Sequence, residues 1–277
     1  MDRSLIAGAN ALFRAAESHR RGSILKDAWA HILAERDVRV QAVRYGRFAL
    51  PPLRRAIDEL QTAHCVRHRA IDELLLRAVE RDGYKQVVLI GAGYDMRASR
   101  FVDRLRGVRF IEADHPATQA RKSQLLASCE GVNADVEHVA LDLMFESLGD
   151  VLARTRLDPQ LPTCFIAEGL VHYLTLARLD DLLASTACVN GRARFVLSFI
   201  RSDMYARATS TFTQLIKLVG EIPRLHFFPS ELARVCEKHA LSGFQSWTLD
   251  EQIAQLAPEG RGRRVNVSQD IAQVERG

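Results

Sequence analysis

No apolar run in this 277-residue sequence approaches the roughly 20 residues that a membrane-spanning helix needs; the longest are strand-length. The opening Met1-Asp2-Arg3-Ser4 lacks the charged-then-apolar pattern of a secretion leader, so a cytoplasmic protein with no membrane partner is expected. Cysteine is sparse and scattered. Cys65, Cys129, Cys164, Cys188 and Cys236 form no CxxC pair, and their odd number argues against a disulfide framework. His239 follows Cys236 at helical spacing, but two ligands do not make a zinc site, and no metal is expected. The 38 Lys and Arg residues are interspersed with 34 acids, and the net charge of +4 is nowhere gathered into a stretch dense enough to track a phosphate backbone. Nucleic acid is therefore not an expected partner. Internal repeats are absent, and nothing in the sequence marks an oligomeric state.

What is present is enough apolar residue, 47%, for one large core, and a rhythm that changes along the chain. Residues 1–84 show helical spacing, as in Leu12, Ala15 and Ala16 and again in Ile57, Leu60, Ile71, Leu74 and Leu75, with a break at Pro51-Pro52. From residue 85 to 200, short apolar runs alternate with helix-length stretches: Val87–Ile90, Val108–Ile111, Val136–Leu141, Cys164–Ala167 and Phe195–Ile200. Repeated βα units predict a mostly parallel sheet with helices on both faces, an α/β Rossmann-like architecture. Residues 201–228 return to helical spacing and are expected to form a cap inserted over the strand ends. The core resumes over 229–277 with a helix at Ser230–His239 and two last strands, Phe244–Leu249 and Arg264–Val267, which brings the expected sheet to seven strands.

The most informative stretch is Gln86-Val-Val-Leu-Ile-Gly-Ala-Gly-Tyr-Asp95. Four unalternated apolar residues suit a strand covered on both faces. Gly91 and Gly93, flanking Ala92, supply a turn that a ligand can approach closely. A dinucleotide fingerprint would place a third glycine where Met96 stands, and Asp95 would repel a pyrophosphate but attract an ammonium group. A nicotinamide cofactor is disfavoured; S-adenosylmethionine, which carries an ammonium and no phosphate, is favoured.

In an open parallel sheet, ligands lie beyond the carboxyl ends of the strands. Here each of those ends carries an acid: Glu112 and Asp114 after the second strand, Asp142 before Leu143 after the third, Glu168 before Gly169 after the fourth. Asp114 could accept from ribose hydroxyls or could cap the next helix; Asp142 could meet an adenine amine or lie in solvent. Arg67, in Cys65-Val66-Arg67-His68-Arg69, could clamp a carboxylate or could be a solvated helix charge.

The segments Val88–Arg97, Glu112-Ala113-Asp114-His115-Pro116 and Ala167-Glu168-Gly169-Leu170-Val171-His172-Tyr173-Leu174 resemble the leucine carboxyl methyltransferase family, which includes bacterial O-methyltransferases of polyketide pathways. Arg14-Ala15-Ala16-Glu17, Lys26-Asp27-Ala28-Trp29-Ala30, Arg67-His68-Arg69, Asp142-Leu143 and Gly243-Phe244 extend the likeness in order along the chain. The resemblance implies a class I S-adenosylmethionine-dependent methyltransferase. In it, Arg67 would hold the cofactor carboxylate, Gly91 its amino-acid part, Asp114 the ribose, Asp142 and Leu143 the adenine, and Glu168 the ammonium. Met96 in place of the usual threonine, Ala28 in place of a proline, and His172 at a commonly apolar position depart from the family pattern.

The acceptor is expected to be a small molecule or, less readily, a protein or peptide C-terminus. A carboxylate acceptor is already ionised at neutral pH and needs only positioning; a phenol, with a pKa near 10, would benefit from a base. His172, one helical turn beyond Glu168, is the candidate base, with His115 and His226 behind it, and Tyr173, Arg201, Tyr205 and Arg224 are candidate acceptor-binding residues. A module that binds the cofactor without catalysis is the reading from another class.

Overall fold

The computed structural model describes residues 4–36, 51–133, 135–203, 223–256, 265 and 269–277. Helices α1 (Ser4–Ser18), α2 (Ala28–Arg36) and α3 (Pro51–Glu80) precede the sheet. Pro51 and Pro52, which the sequence suggested as a break, open α3, because the first turn of a helix does not need their missing N–H groups.

Seven strands follow: β1 (Gln86–Ile90), β2 (Arg109–Asp114), β3 (Glu137–Ala140), β4 (Thr163–Ala167), β5 (Ala193–Ile200), β6 (Ser242–Thr248) and β7 (Gln269–Arg276). Between them run α4 (Arg97–Arg100), α5 (Pro116–Leu126), α6 (Leu148–Leu152), α7 (Leu176–Ala184), α8 (Pro229–Glu237) and α9 (Leu249–Gln255). The sheet order is β3-β2-β1-β4-β5-β7-β6. Strands β1 to β5 are mutually parallel, and β7 enters between β5 and β6 antiparallel to both.

The expected final strand at Arg264–Val267 is corrected: the strand is Gln269–Arg276, and of the expected run only Val265 is among the described residues. Gln-Asp-Ile-Ala-Gln-Val-Glu-Arg looks too polar for a strand between two others, yet Asp270, Ile271, Ala272 and Val274 are buried there. The expected cap falls mostly on residues 204–222, outside the described residues, and Tyr205 falls with it.

Alternation along β1 feeds two cores. Val88 and Ile90 join Phe165, Phe195 and Leu197 on one face, under α6, α7 and α8; Val87 and Leu89 join Ile71, Leu75 and Ile166 on the other, under α3. Burial on both faces is what an unalternated apolar strand requires. The order reverses between β1 and β4, where successive crossovers leave the sheet in opposite directions and a crevice opens at the carboxyl ends. Among the described residues, no helix is long and apolar enough to cross a membrane.

Candidate active site

A cavity of about 580 Å³ lies in that crevice. Its floor is the end of β1 and the turn Gly91-Ala92-Gly93-Tyr94-Asp95. Gly91 and Gly93 adopt φ of 65° and 52°, values that favour glycine. Added Cβ atoms would meet Leu170 at 3.1 Å and Ala7 at 3.2 Å, so the turn is pressed between the β4 loop and α1. The side chain of Arg14 fastens α1 over it, donating to Asp27 Oδ2 at 2.9 Å and to the Tyr94 carbonyl at 2.7 Å.

Asp114, at the end of β2, lines the cavity and accepts from the backbone N–H groups of Gly93 and His115. Burial raises its pKa, against the pull of those two N–H groups. Leu143, Met144 and Phe145 form the wall beyond β3. Asp142 does not line the cavity; its Oδ1 accepts from Met144 N at 3.0 Å and its Oδ2 lies 3.5 Å from His115 Nε2, so it shapes the loop that presents Leu143. Glu112 is likewise not in the lining: a buried lysine of α5, Lys122, takes its carboxylate at 2.6 Å, which corrects its expected place among the cofactor contacts.

Glu168 and Arg67, a hundred residues apart in sequence, meet as expected, with Arg67 Nε 3.0 Å from Glu168 Oε1. Two more side chains share the acid. Arg97 Nη2 lies 2.7 Å and His68 Nδ1 3.0 Å from Oε2. Arg100 Nη1 approaches His68 Nε2 at 2.8 Å, and burial, with the Arg97 cation beside the ring, lowers the pKa of His68. Desolvation works against ionisation of Glu168, but His68, Arg97 and Arg67 overcome it and hold its pKa well below the carboxylate range. Arg97, fully buried, also pairs with Asp72 at 2.6 Å and with Asp95, whose pKa is held at about 2 despite burial. His68, Asp95 and Glu168 bring three donor atoms within 4.8 Å, a grouping that could suit a metal, but the Arg97 guanidinium contacts all three.

Arg67 spends three of its five N–H groups on Glu168, on His64 Nδ1 at 2.8 Å and on Gln269 of β7. Two remain, on a side chain that lines the cavity. Gly169, at φ 66°, leaves room for it: a Cβ there would stand 3.3 Å from Arg67 Nη2.

His172 departs from expectation. The chain after Gly169 forms a single 3₁₀ turn, Val171–Tyr173, rather than a helix begun at Glu168, so His172 and Glu168 do not share a face. His172 is buried outside the cavity lining, and desolvation, with Arg67 adding, pushes its pKa to about 3. Tyr173 and Arg224 do line the cavity. Arg201 does not: its guanidinium is held by Asp203 at 2.7 Å and faces Asp270 at 3.7 Å. The cavity residues of α1 (Ala7, Asn10 and Arg14), together with His64 and the Arg97 hub, escaped the sequence reading. The only signal for them was the position of Arg14 and Arg97 inside family-like segments.

Sheet order, switch-point cavity and glycine turn define a class I methyltransferase fold. The profile of the leucine carboxyl methyltransferase family matches residues 7–187, and the chain belongs to that family. A candidate S-adenosyl-L-methionine-dependent methyltransferase of Saccharopolyspora erythraea is 33% identical over 68% of this chain and 64% of its own length. One from Frankia alni is 33% identical over 61% and 59%. The chain thus spans between 41% and 64% of the length of the curated relatives it matches. Among solved structures, a candidate methyltransferase of Thermobifida fusca YX superposes with a TM-score of 0.62 at 12% identity, covering 98% of this chain and 94% of that one, a likeness of fold alone.

Proposed function

We propose that this protein is an S-adenosylmethionine-dependent O-methyltransferase that forms a methyl ester on the carboxylate of a small-molecule acceptor of secondary metabolism. The residues present suit the donor. The cavity volume lies within the roughly 300–1,000 Å³ of small-ligand sites. Arg67 keeps two N–H groups for a carboxylate, Asp114 offers acceptor capacity for ribose hydroxyls, and the loop after Asp142 offers Leu143 to adenine. Glu168 and Asp95, both ionised on the cavity wall, favour the ammonium end.

When bound, S-adenosylmethionine supplies a methyl group already activated on a sulfonium. The protein's own part is to hold an acceptor in line and keep water out. The observation that carries the carboxylate reading is the contrast between two side chains. Arg224 stands at the cavity wall, exposed, with no acid beside it among the described residues, its backbone N–H fixed to the His172 carbonyl at 2.7 Å. His172, the candidate base for a phenol, is buried away from the cavity, and with its pKa pushed to about 3 its ring is too weak a base to take a phenol's proton. A cation at the wall, with His172 withdrawn from it, suits an acceptor that arrives ionised.

Isothermal titration with S-adenosylmethionine is expected to give saturable heat; none at high cofactor concentration would overturn the reading. Incubation with labelled cofactor and a panel of aromatic and aliphatic acids is expected to give products that lose the label as methanol in mild alkali. Label stable to alkali would identify a hydroxyl acceptor instead, and no transfer to any acceptor would favour a binding module.

A further inference from the structure

Apolar side chains standing singly in solvent are common and need no special cause. Phe145 is set apart by its place and by how firmly it is held. It is 82% exposed, and of the large apolar side chains left exposed among the described residues it is the one that lines the cavity. Hydrogen bonds fix the loop that carries it. Asp142 Oδ1 accepts from Met144 N at 3.0 Å, and the Asp142 carbonyl accepts from Phe145 N and Glu146 N, each at 2.9 Å. In return, Glu146 Oε2 accepts from Asp142 N at 2.9 Å. Arg178 of α7 ties the loop from its other side, donating to the Met144 carbonyl at 2.7 Å. The backbone is thus ordered before a ligand arrives, and the ring it presents keeps most of its surface free for one.

The position of Phe145 along the wall decides which part of a ligand it meets. The sheet order puts β3 at one edge, β2 with Asp114 next to it, and β4 with Glu168 on the far side of β1. A donor with its amino-acid end at Arg67 and Glu168 and its ribose at Asp114 brings its base to the loop after β3. There the N–H of Leu143, two residues before Phe145, is taken by no backbone carbonyl among the described residues. A free N–H and a bare aromatic face are two things a purine uses, the first in its plane and the second across it.

We infer that Phe145 is the stacking face for the adenine of the methyl donor. This rests on the reading of the cavity as the donor site. The ring binds the base alone, so its contribution is separate from the carboxylate clamp at Arg67.

The test titrates S-adenosylhomocysteine and 5′-methylthioadenosine, which keeps the adenine but lacks the amino-acid carboxylate, into the wild type, Phe145→Ala and Phe145→Trp. Phe145→Ala is expected to weaken both ligands by the same factor, about 5- to 30-fold. Its melting temperature without ligand should match the wild type, because so exposed a ring adds little packing. Phe145→Trp keeps an aromatic face and should bind both ligands at least as well as the wild type. Its added indole emission, read against a wild type that carries Trp29 and Trp247, should be quenched as methylthioadenosine saturates. A residue that only shapes the loop would give no such quench. Equal binding of methylthioadenosine by the wild type and Phe145→Ala, or an unquenched indole in Phe145→Trp, overturns the inference. A raised acceptor KM in Phe145→Ala at unchanged methylthioadenosine affinity also overturns it and gives the ring to the acceptor. A wild type that binds neither ligand overturns the donor reading itself.

Discussion

Arg67 and Arg69 differ by two positions on one helix and by almost everything else. Arg67 is buried against Glu168, His64 and Gln269; Arg69 is partly exposed and paired at 2.5 Å with Glu73 one turn on. Arg67→Ala is expected to weaken S-adenosylhomocysteine binding by tenfold or more, through loss of a charge-assisted clamp of about 1.5–3 kcal/mol, while Arg69→Ala changes it little. Equal losses in calorimetry would contradict the assignment. Gly169→Ala forces a side chain into the left-handed region and toward the guanidinium; denaturant melts are expected to show a loss of about 1–2 kcal/mol, together with weaker cofactor binding. The sequence made Arg67, Asp114 and Glu168 legible because each sits at a strand end or in a motif. It could not separate Glu112 from Asp114. The two lie on one face of β2, and what divides their fates is Lys122, ten residues on, folding back over the strand.

At the scale of elements, β1, β4 and β5 were readable because strands buried on both faces leave bare apolar runs. The last strand was not, since β7 carries Asp270, Gln273 and Glu275 among its apolar residues. Its Ile271, Ala272 and Val274 fill the two cores, while Asp270 faces Arg201 and Glu275 takes Arg194 at 2.6 Å. Such partners come from far along the chain and leave no local periodicity. Helix α9, which the sequence reading passed over, carries a signal that is wholly local. Thr248 Oγ1 accepts from Glu251 N at 3.2 Å and Glu251 Oε2 from Thr248 N at 2.8 Å, a reciprocal cap. Thr248→Ala is expected to cost about 1 kcal/mol in chemical denaturation, with cofactor binding unchanged.

Across the whole molecule, buried titrating groups set the response to pH. His64, His68 and His172 are all depressed, so the unfolded chain takes up their protons below about pH 6.5 while the folded chain refuses them. Their contribution is present above that pH and is lost as pH falls. Asp270 works the other way. Burial raises its pKa to about 7, so between roughly pH 4 and 7 the folded state holds a proton that the unfolded state has released. The three histidines outweigh Asp270 and Asp114, whose pKa burial also raises, and stability is expected to fall from pH 7 to 5. Urea melts across that range check it, and Asp270→Asn should steepen the fall. The bond from Arg67 to Gln269 has a consequence of another kind. As the chain leaves the ribosome, α3 and β1 to β5 emerge first, with the crevice already outlined, but β5 has no partner on its outer side and Arg67 lacks one of its three anchors. Only when β7 slides between β5 and β6 does the arginine lock, so a nascent chain would pass through a stage that has the shape of the site without its grip.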